Sequence, residues 1–148
     1  MQKINIRCAT KDDLPAIHNL VRQLAVFENA EKEFTATLEE YHLNFDEGRF
    51  EASVAEVDGT ICGMALYYLT YSTWKGSMMH LEDFIVEKGF RSLGIGQLLF
   101  DETLQQAKAK GCKLLKWEVL DWNEGALRFY IKNNAIIEKE WWNGKIFL

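Results

Sequence analysis

The run Glu82-Asp83-Phe84-Ile85-Val86-Glu87-Lys88-Gly89-Phe90-Arg91-Ser92-Leu93-Gly94-Ile95-Gly96-Gln97-Leu98-Leu99 decides how this chain is read. An apolar strand, a glycine-containing turn and the start of a long amphipathic helix follow one another without a break. Gly94 and Gly96 carry no side chain to hold a ligand away from the backbone. The first N–H groups of a helix have no acceptor within it, so the arrangement is a cradle for an anion such as phosphate. Arg91 adds a positive charge to it.

Two common phosphate motifs are excluded. A Walker loop ends in Gly-Lys-Ser/Thr, where this chain has Gly96-Gln97-Leu98, and a dinucleotide fingerprint needs a third glycine where Leu99 stands. Arg91-x-x-Gly94-x-Gly96, placed after a strand bearing Glu82-Asp83, resembles motif A of the GNAT superfamily of N-acetyltransferases, whose loop binds the pyrophosphate of acetyl-CoA. On the loop alone, a turn whose glycines only permit tight packing stays open as an alternative.

The resemblance spans nearly the whole chain. Arg7-Cys8-Ala9-Thr10, 67–76 (Tyr-Tyr-Leu-Thr-Tyr-Ser-Thr-Trp-Lys-Gly), Val119-Leu120-Asp121-Trp122-Asn123 and Ala126-Leu127-Arg128-Phe129-Tyr130 are similar to the diamine acetyltransferase branch. Ser72-Thr73-Trp74-Lys75-Gly76 and Leu120-Asp121-Trp122-Asn123 are closest to its thialysine-type members, since the spermidine/spermine members usually carry Asp-Pro-Trp at the first place. The resemblance implies a GNAT fold, an α/β architecture with a mixed, mostly antiparallel sheet, helices on both faces and a V-shaped split between the strands at 78–86 and 114–120. It also implies acetyl-CoA held by Phe84, Ile85, Val86, Arg91, Gly94, Ile95, Gly96, Asn123 and Tyr130, and an amine held by Glu28, Ser72, Trp74, Glu82 and Asp83. A homodimer is expected on the same ground.

Composition sets the outer bounds. At 148 residues and 48% hydrophobic content, one N-acetyltransferase domain over 1–148 with a single core is expected. No apolar run approaches the roughly eighteen residues of a membrane helix, and the polar start Met1-Gln2-Lys3-Ile4-Asn5 has no signal-peptide core, so a cytoplasmic protein is expected. Cys8, Cys62 and Cys112 are widely spaced and form no Cys-x-x-Cys pair; they read as buried thiols, with neither a disulfide framework nor a metal site. A net charge of −5 argues against nucleic acid and for a cationic partner. Glu28, Glu31, Glu33, Glu39, Glu40, Glu47 and Glu51 crowd one stretch. Most suit a solvated face, and a subset near the cleft attracts an amine at long range.

Along the chain, Ile4, Ile6 and Cys8 alternate as an opening strand, and Thr10 with Asp13 caps a helix whose Leu14, Ile17, Leu20, Val21 and Leu24 share one face. Thr37 with Glu40 caps a shorter helix that Gly48 ends. Segments 50–57 and 60–71 flank Asp58-Gly59, a strong hairpin signal. Then come a strand over 78–86, a helix over 94–110 ended by Gly111, a strand over 114–120, a helix over 124–132 and a closing hairpin over 136–147 around Asn143-Gly144.

The chemistry follows from the acceptor. An aliphatic amine has a pKa of about 10.4, so at neutral pH only roughly one molecule in 2,500 is nucleophilic. Strand alternation puts His80, Glu82 and Phe84 on one face and Leu81, Asp83 and Ile85 on the other. Glu82, buried beside Phe84, is the expected base, and the diamine branch uses the matching glutamate so. The alternative is a carboxylate that only orients substrate. His80 stands where relatives often have tyrosine, and either tunes Glu82 or packs. The resemblance makes Tyr130 the general acid toward the leaving thiolate, with a phenol that merely packs on the cofactor arm as the alternative, and Asn123 a hydrogen-bond partner of pantetheine. Trp74, Trp122, Trp141 and Trp142 admit a different reading, a groove for a peptide or cationic ligand without catalysis, and the loop by itself also suits a non-catalytic acyl-CoA-binding protein. The presence of both Glu82 and Tyr130 favours an enzyme.

Overall fold

A computed structural model describes residues 2–148, in two compact units, one ending at Trp117 and the other spanning Glu118–Leu148. The first holds a five-stranded sheet in the order β1-β2-β3-β4-β5, made of Ile4–Cys8, Glu51–Val57, Thr60–Ser72, Gly76–Val86 and Leu114–Lys116. Neighbours are antiparallel through β4, and β4 pairs with β5 in parallel. This is the mixed, mostly antiparallel α/β sheet that the sequence implied. The β2–β3 turn uses Asp58 and Gly59, both at positive φ, as a tight hairpin of this kind requires.

Local signals explain the helices. Asp13 accepts the Thr10 N–H at 2.7 Å and leads through a short 3-10 turn into α1 (Leu14–Phe27). Thr37 and Glu40 exchange both capping hydrogen bonds at the start of α2 (Leu38–Asp46). Leu14, Ile17 and Leu20 of α1 are fully buried against Ala52, Val54, Met64, Leu66 and Ile85 on one sheet face. Ile95 and Leu99 of α3 (Ile95–Ala109) pack with Ala55, Val57, Cys62 and Val86 on the other. Helices therefore cover both faces, and the burial of these aliphatic side chains, about 1.5–3 kcal/mol each, is what orients α3 on the sheet. No helix among the described residues is long and apolar enough to cross a membrane.

Three expectations need correction. The strand expected over 114–120 covers only Leu114–Lys116, because its sole ladder, to β4, ends at the pair His80 and Lys116 while β4 runs on to Val86. The hairpin expected over 136–147 is absent: beyond α4 (Glu124–Lys132) the second unit forms no strand, and Ile136, Trp141, Trp142, Ile146 and Phe147 are exposed. Asn143-Gly144 favours a turn, but a lone two-stranded hairpin without a supporting sheet is at best marginal. Cys62 is buried as expected, whereas Cys8, at the end of edge strand β1, is exposed and Cys112 is half-buried.

Candidate active site

Strand β4 carries the site, and its pairing with β3 changes what alternation implied. Asp83 faces Leu66 and Leu81 faces Tyr67, so Glu82 is one residue more than β3 can pair. A bulge of this kind bends the strand and re-aims its side chains. His80 lies opposite Tyr68 and Asp83 opposite Leu66, so the bulge brings His80 and Asp83 to one face, with the Glu82 carboxylate beside them. The Tyr68 hydroxyl donates to Glu82 Oε1 at 2.8 Å, and His80 Nε2 stands 3.6 Å from the same oxygen. The assignment of Asp83 to the face opposite Glu82 is thus overturned. So is the burial of Glu82, whose side chain is 49% exposed.

Glu82 and Asp83 line a depression of about 450 Å³ whose other walls include Tyr41, Asn44, Arg49, Phe50, Leu66 and Tyr68. Asp83 is the electrostatically unusual member. Burial, then the charges of Glu82 and Glu28, push its carboxyl up from 3.8 to about 7. Glu28, at the end of α1, is itself raised by burial, and Tyr41 is pushed up to about 12 by burial and by Asp83 and Glu82. Among the described residues no Lys or Arg pairs with Glu28, Glu82 or Asp83. Carboxylates gathered without a Lys or Arg partner can take up the charge of an ammonium group.

The cradle stands at the far end of the same strand. Gly94 caps α3 at φ +82, a conformation that penalises any Cβ. Gly96 has no such constraint. A Cβ there would meet only Phe84 at 3.9 Å and Val86 at 4.0 Å, ordinary contacts, so packing does not require this glycine. A ligand approaching the backbone would. The first-turn N–H groups at Ile95 and Gly96 precede the first intrahelical bond, from the Leu98 N–H to the Gly94 carbonyl at 3.2 Å, and are the kind of donor that can serve an anion at a helix N-terminus. Arg91 Nε donates to the Val86 carbonyl at 2.9 Å, tying its guanidinium to this loop. Ile85, Val86 and Ile95 bury their side chains in the core, so what they offer a cofactor is backbone.

Other expected residues lie elsewhere. Ser72 Oγ accepts the Lys75 N–H at 3.1 Å inside the β3–β4 turn, and Trp74 at its tip is 82% exposed. Ser72 lies six positions beyond Leu66 on β3, so the turn is roughly 20 Å along the ladder from Asp83. In the second unit, Asn123 Oδ1 accepts the Ala126 N–H at 3.2 Å and caps α4, on which Tyr130 stands edge-on to Phe129 with ring centroids 5.6 Å apart. Sequence reasoning missed Tyr68, Tyr41 and Arg49. Only Tyr41 had a local signal, its i, i+4 spacing with the apolar Phe45.

The comparisons with known proteins bear on the family and the fold. A thialysine N-epsilon-acetyltransferase from Bos taurus is 34% identical, aligned over 97% of this chain and 91% of that protein. A spermidine/spermine N(1)-acetyltransferase-like protein from Homo sapiens is 30% identical over 92% of this chain but only 21% of its own length. Among solved structures, an aminoglycoside N-acetyltransferase in complex with CoA superposes with a TM-score of 0.78 at 19% identity, covering 98% of this chain and 96% of the other, a likeness of fold. The model of the acetyltransferase (GNAT) family matches residues 14–134, which include both the bulged carboxylates and the glycine cradle, and by that match the chain belongs to the GNAT family of acetyltransferases.

Proposed function

We propose that this chain transfers an acetyl group from acetyl-CoA to the primary amine of a small lysine-like amino acid such as thialysine, by direct attack of the amine. The observation that carries the reading is that one strand, β4, bears two carboxylates with no Lys or Arg partner among the described residues and ends at a cradle whose Gly96 packing does not require. Acetyl-CoA, when bound, supplies the thioester as acyl donor. The backbone of Gly94, Ile95 and Gly96 with Arg91 would hold its pyrophosphate and the backbone of Phe84–Val86 would face its arm, while the family resemblance makes Asn123 a further hydrogen-bond partner of the cofactor.

Glu28 and Asp83 draw in the ammonium form of the acceptor. Glu82, half-exposed and fixed by Tyr68, takes the proton that the amine sheds, and Tyr130 gives its hydroxyl proton to the departing sulfur. Direct transfer suits the thiols present, since Cys62 is buried with its pKa raised by that burial and is not poised as a nucleophile. A second reading makes Asp83 the proton acceptor. Its carboxyl, pushed up to about 7, favours that role because a base is most effective when its pKa lies near the working pH.

The same proposal takes the chain as one N-acetyltransferase domain over 1–148, cytoplasmic, and homodimeric. A second chain is one way for the Ser72–Trp74 turn, remote from Asp83 in its own chain, to meet an acceptor. Ser72 stands where polyamine acetylators usually present aspartate, and the loss of that charge supports the amino acid over spermidine. Competing thialysine against spermidine in one enzyme sample, with thiol detection of released CoA, tests the assignment. A higher kcat/KM for spermidine returns the chain to the polyamine branch.

A further inference from the structure

The depression is not uniformly acidic. Among the described residues lining it, Arg49 is the one cation, and it stands on the segment entering β2, across the sheet from Glu82 and Asp83. Ala52, Leu66 and Asp83 lie side by side on three strands, and Arg49 precedes Ala52 by three residues. Ladder spacings of about 4.8 Å across and 3.3 Å along then put its Cα roughly 14 Å from that of Asp83. The long arginine side chain and the aliphatic chain of a lysine-like molecule together close that gap.

Arg49 is also held for the task. Glu47 Oε2 accepts its Nε–H at 2.7 Å, which fixes the guanidinium plane, while its two terminal amino groups hold no hydrogen bond among the described residues. A guanidinium presents those donors in a planar fork matched to a carboxylate. Glu40, the acid nearest in sequence on the same wall, is committed to the Thr37 N–H at 2.8 Å.

We infer that Arg49 is a specificity-determining residue that binds the carboxylate of the acceptor, so that the site reads a zwitterionic amino acid at both ends, amine at Glu82 and Asp83 and carboxylate at Arg49. The inference rests on the proposed function above and deepens it. A polyamine, with a second cationic centre where the amino acid has its carboxylate, meets repulsion at Arg49, so the residue selects against that class as well as for the other.

The test uses Arg49→Met and Arg49→Lys with two acceptors, thialysine and the diamine that differs from it only by lacking the carboxylate. The readout is the ratio of kcat/KM for thialysine to kcat/KM for the diamine. It falls about tenfold in Arg49→Met, through KM rather than kcat, and part of it returns in Arg49→Lys, whose charge lacks the fork. Thermal melts check the fold; Arg49 is exposed and its one pairing is on the surface. Equal losses on both acceptors overturn the inference, because a structural role does not discriminate between them. Good wild-type turnover of thialysine with an unchanged ratio in Arg49→Met overturns the carboxylate contact and leaves the proposed function standing. Wild-type turnover of the diamine without thialysine rejects both.

Discussion

Replacing Asp83 by asparagine keeps the shape of the side chain and removes the charge that its surroundings oppose. In the folded chain the carboxyl is raised from 3.8 to about 7 by burial and by Glu82 and Glu28. The sign follows from which state holds the proton. Below the unfolded value both states are protonated and the contribution is fully present. As pH rises toward 7 the unfolded chain releases its proton while the folded chain keeps it, so stability is lost progressively and levels off above the folded value. Roughly three units at about 1.4 kcal/mol each give a loss of roughly 4 kcal/mol between pH 4 and pH 8. Asparagine does not titrate, so the stability of Asp83→Asn relative to the parent should climb by a few kcal/mol over that interval. Urea denaturation of both proteins at pH 4, 5, 6, 7 and 8 measures it. A difference that stays flat from pH 4 to 8 refutes the reasoning, because it means that the carboxyl titrates alike in the folded and unfolded chains. The same titration bears on function. The parent should bind its ammonium acceptor better as pH rises through about 7, and Asp83→Asn should lack that step.

Glu82→Gln and Tyr130→Phe should each lower turnover by roughly 10²–10⁴-fold, the usual cost of a general base or acid, and steady-state rates from pH 6 to 10 report it. If Glu82→Gln keeps parental turnover while Asp83→Asn loses it, the proton acceptor is Asp83; activity lost in His80→Ala alone moves it to His80. Gly96→Ala should melt cooperatively, since a Cβ there meets only ordinary contacts, yet bind CoA at least tenfold more weakly, about 1.4 kcal/mol, by calorimetry. Unchanged CoA affinity in that folded variant would sink the cradle.

The features that depend on near neighbours in the chain were legible in the sequence. Capping pairs at Thr10/Asp13 and Thr37/Glu40, the Asp58-Gly59 turn, the apolar face of α1 and the glycine turn that opens α3 are all written within a few residues, and the structure places each of them as read. Belonging to the acetyltransferase family was legible too, because Arg91-x-x-Gly94-x-Gly96 after Glu82-Asp83 is such a local pattern. What tertiary structure alone decided is the relation between residues on different strands. Period-two alternation assumes an unbroken ladder, and only the register of β4 on β3 makes Glu82 the extra residue that brings Asp83 and His80 to one face. That register joins residues 66 and 83, and with it the Tyr68 hydroxyl meets Glu82 and Arg49 enters the same depression. The proton affinity of Asp83 likewise comes from its burial and from Glu28, which is fifty-five positions away in the chain. The missing hairpin at the C-terminus obeys the same rule: Asn143-Gly144 can specify a turn, but a strand exists only where another strand takes up its hydrogen bonds, and no local sequence supplies that partner.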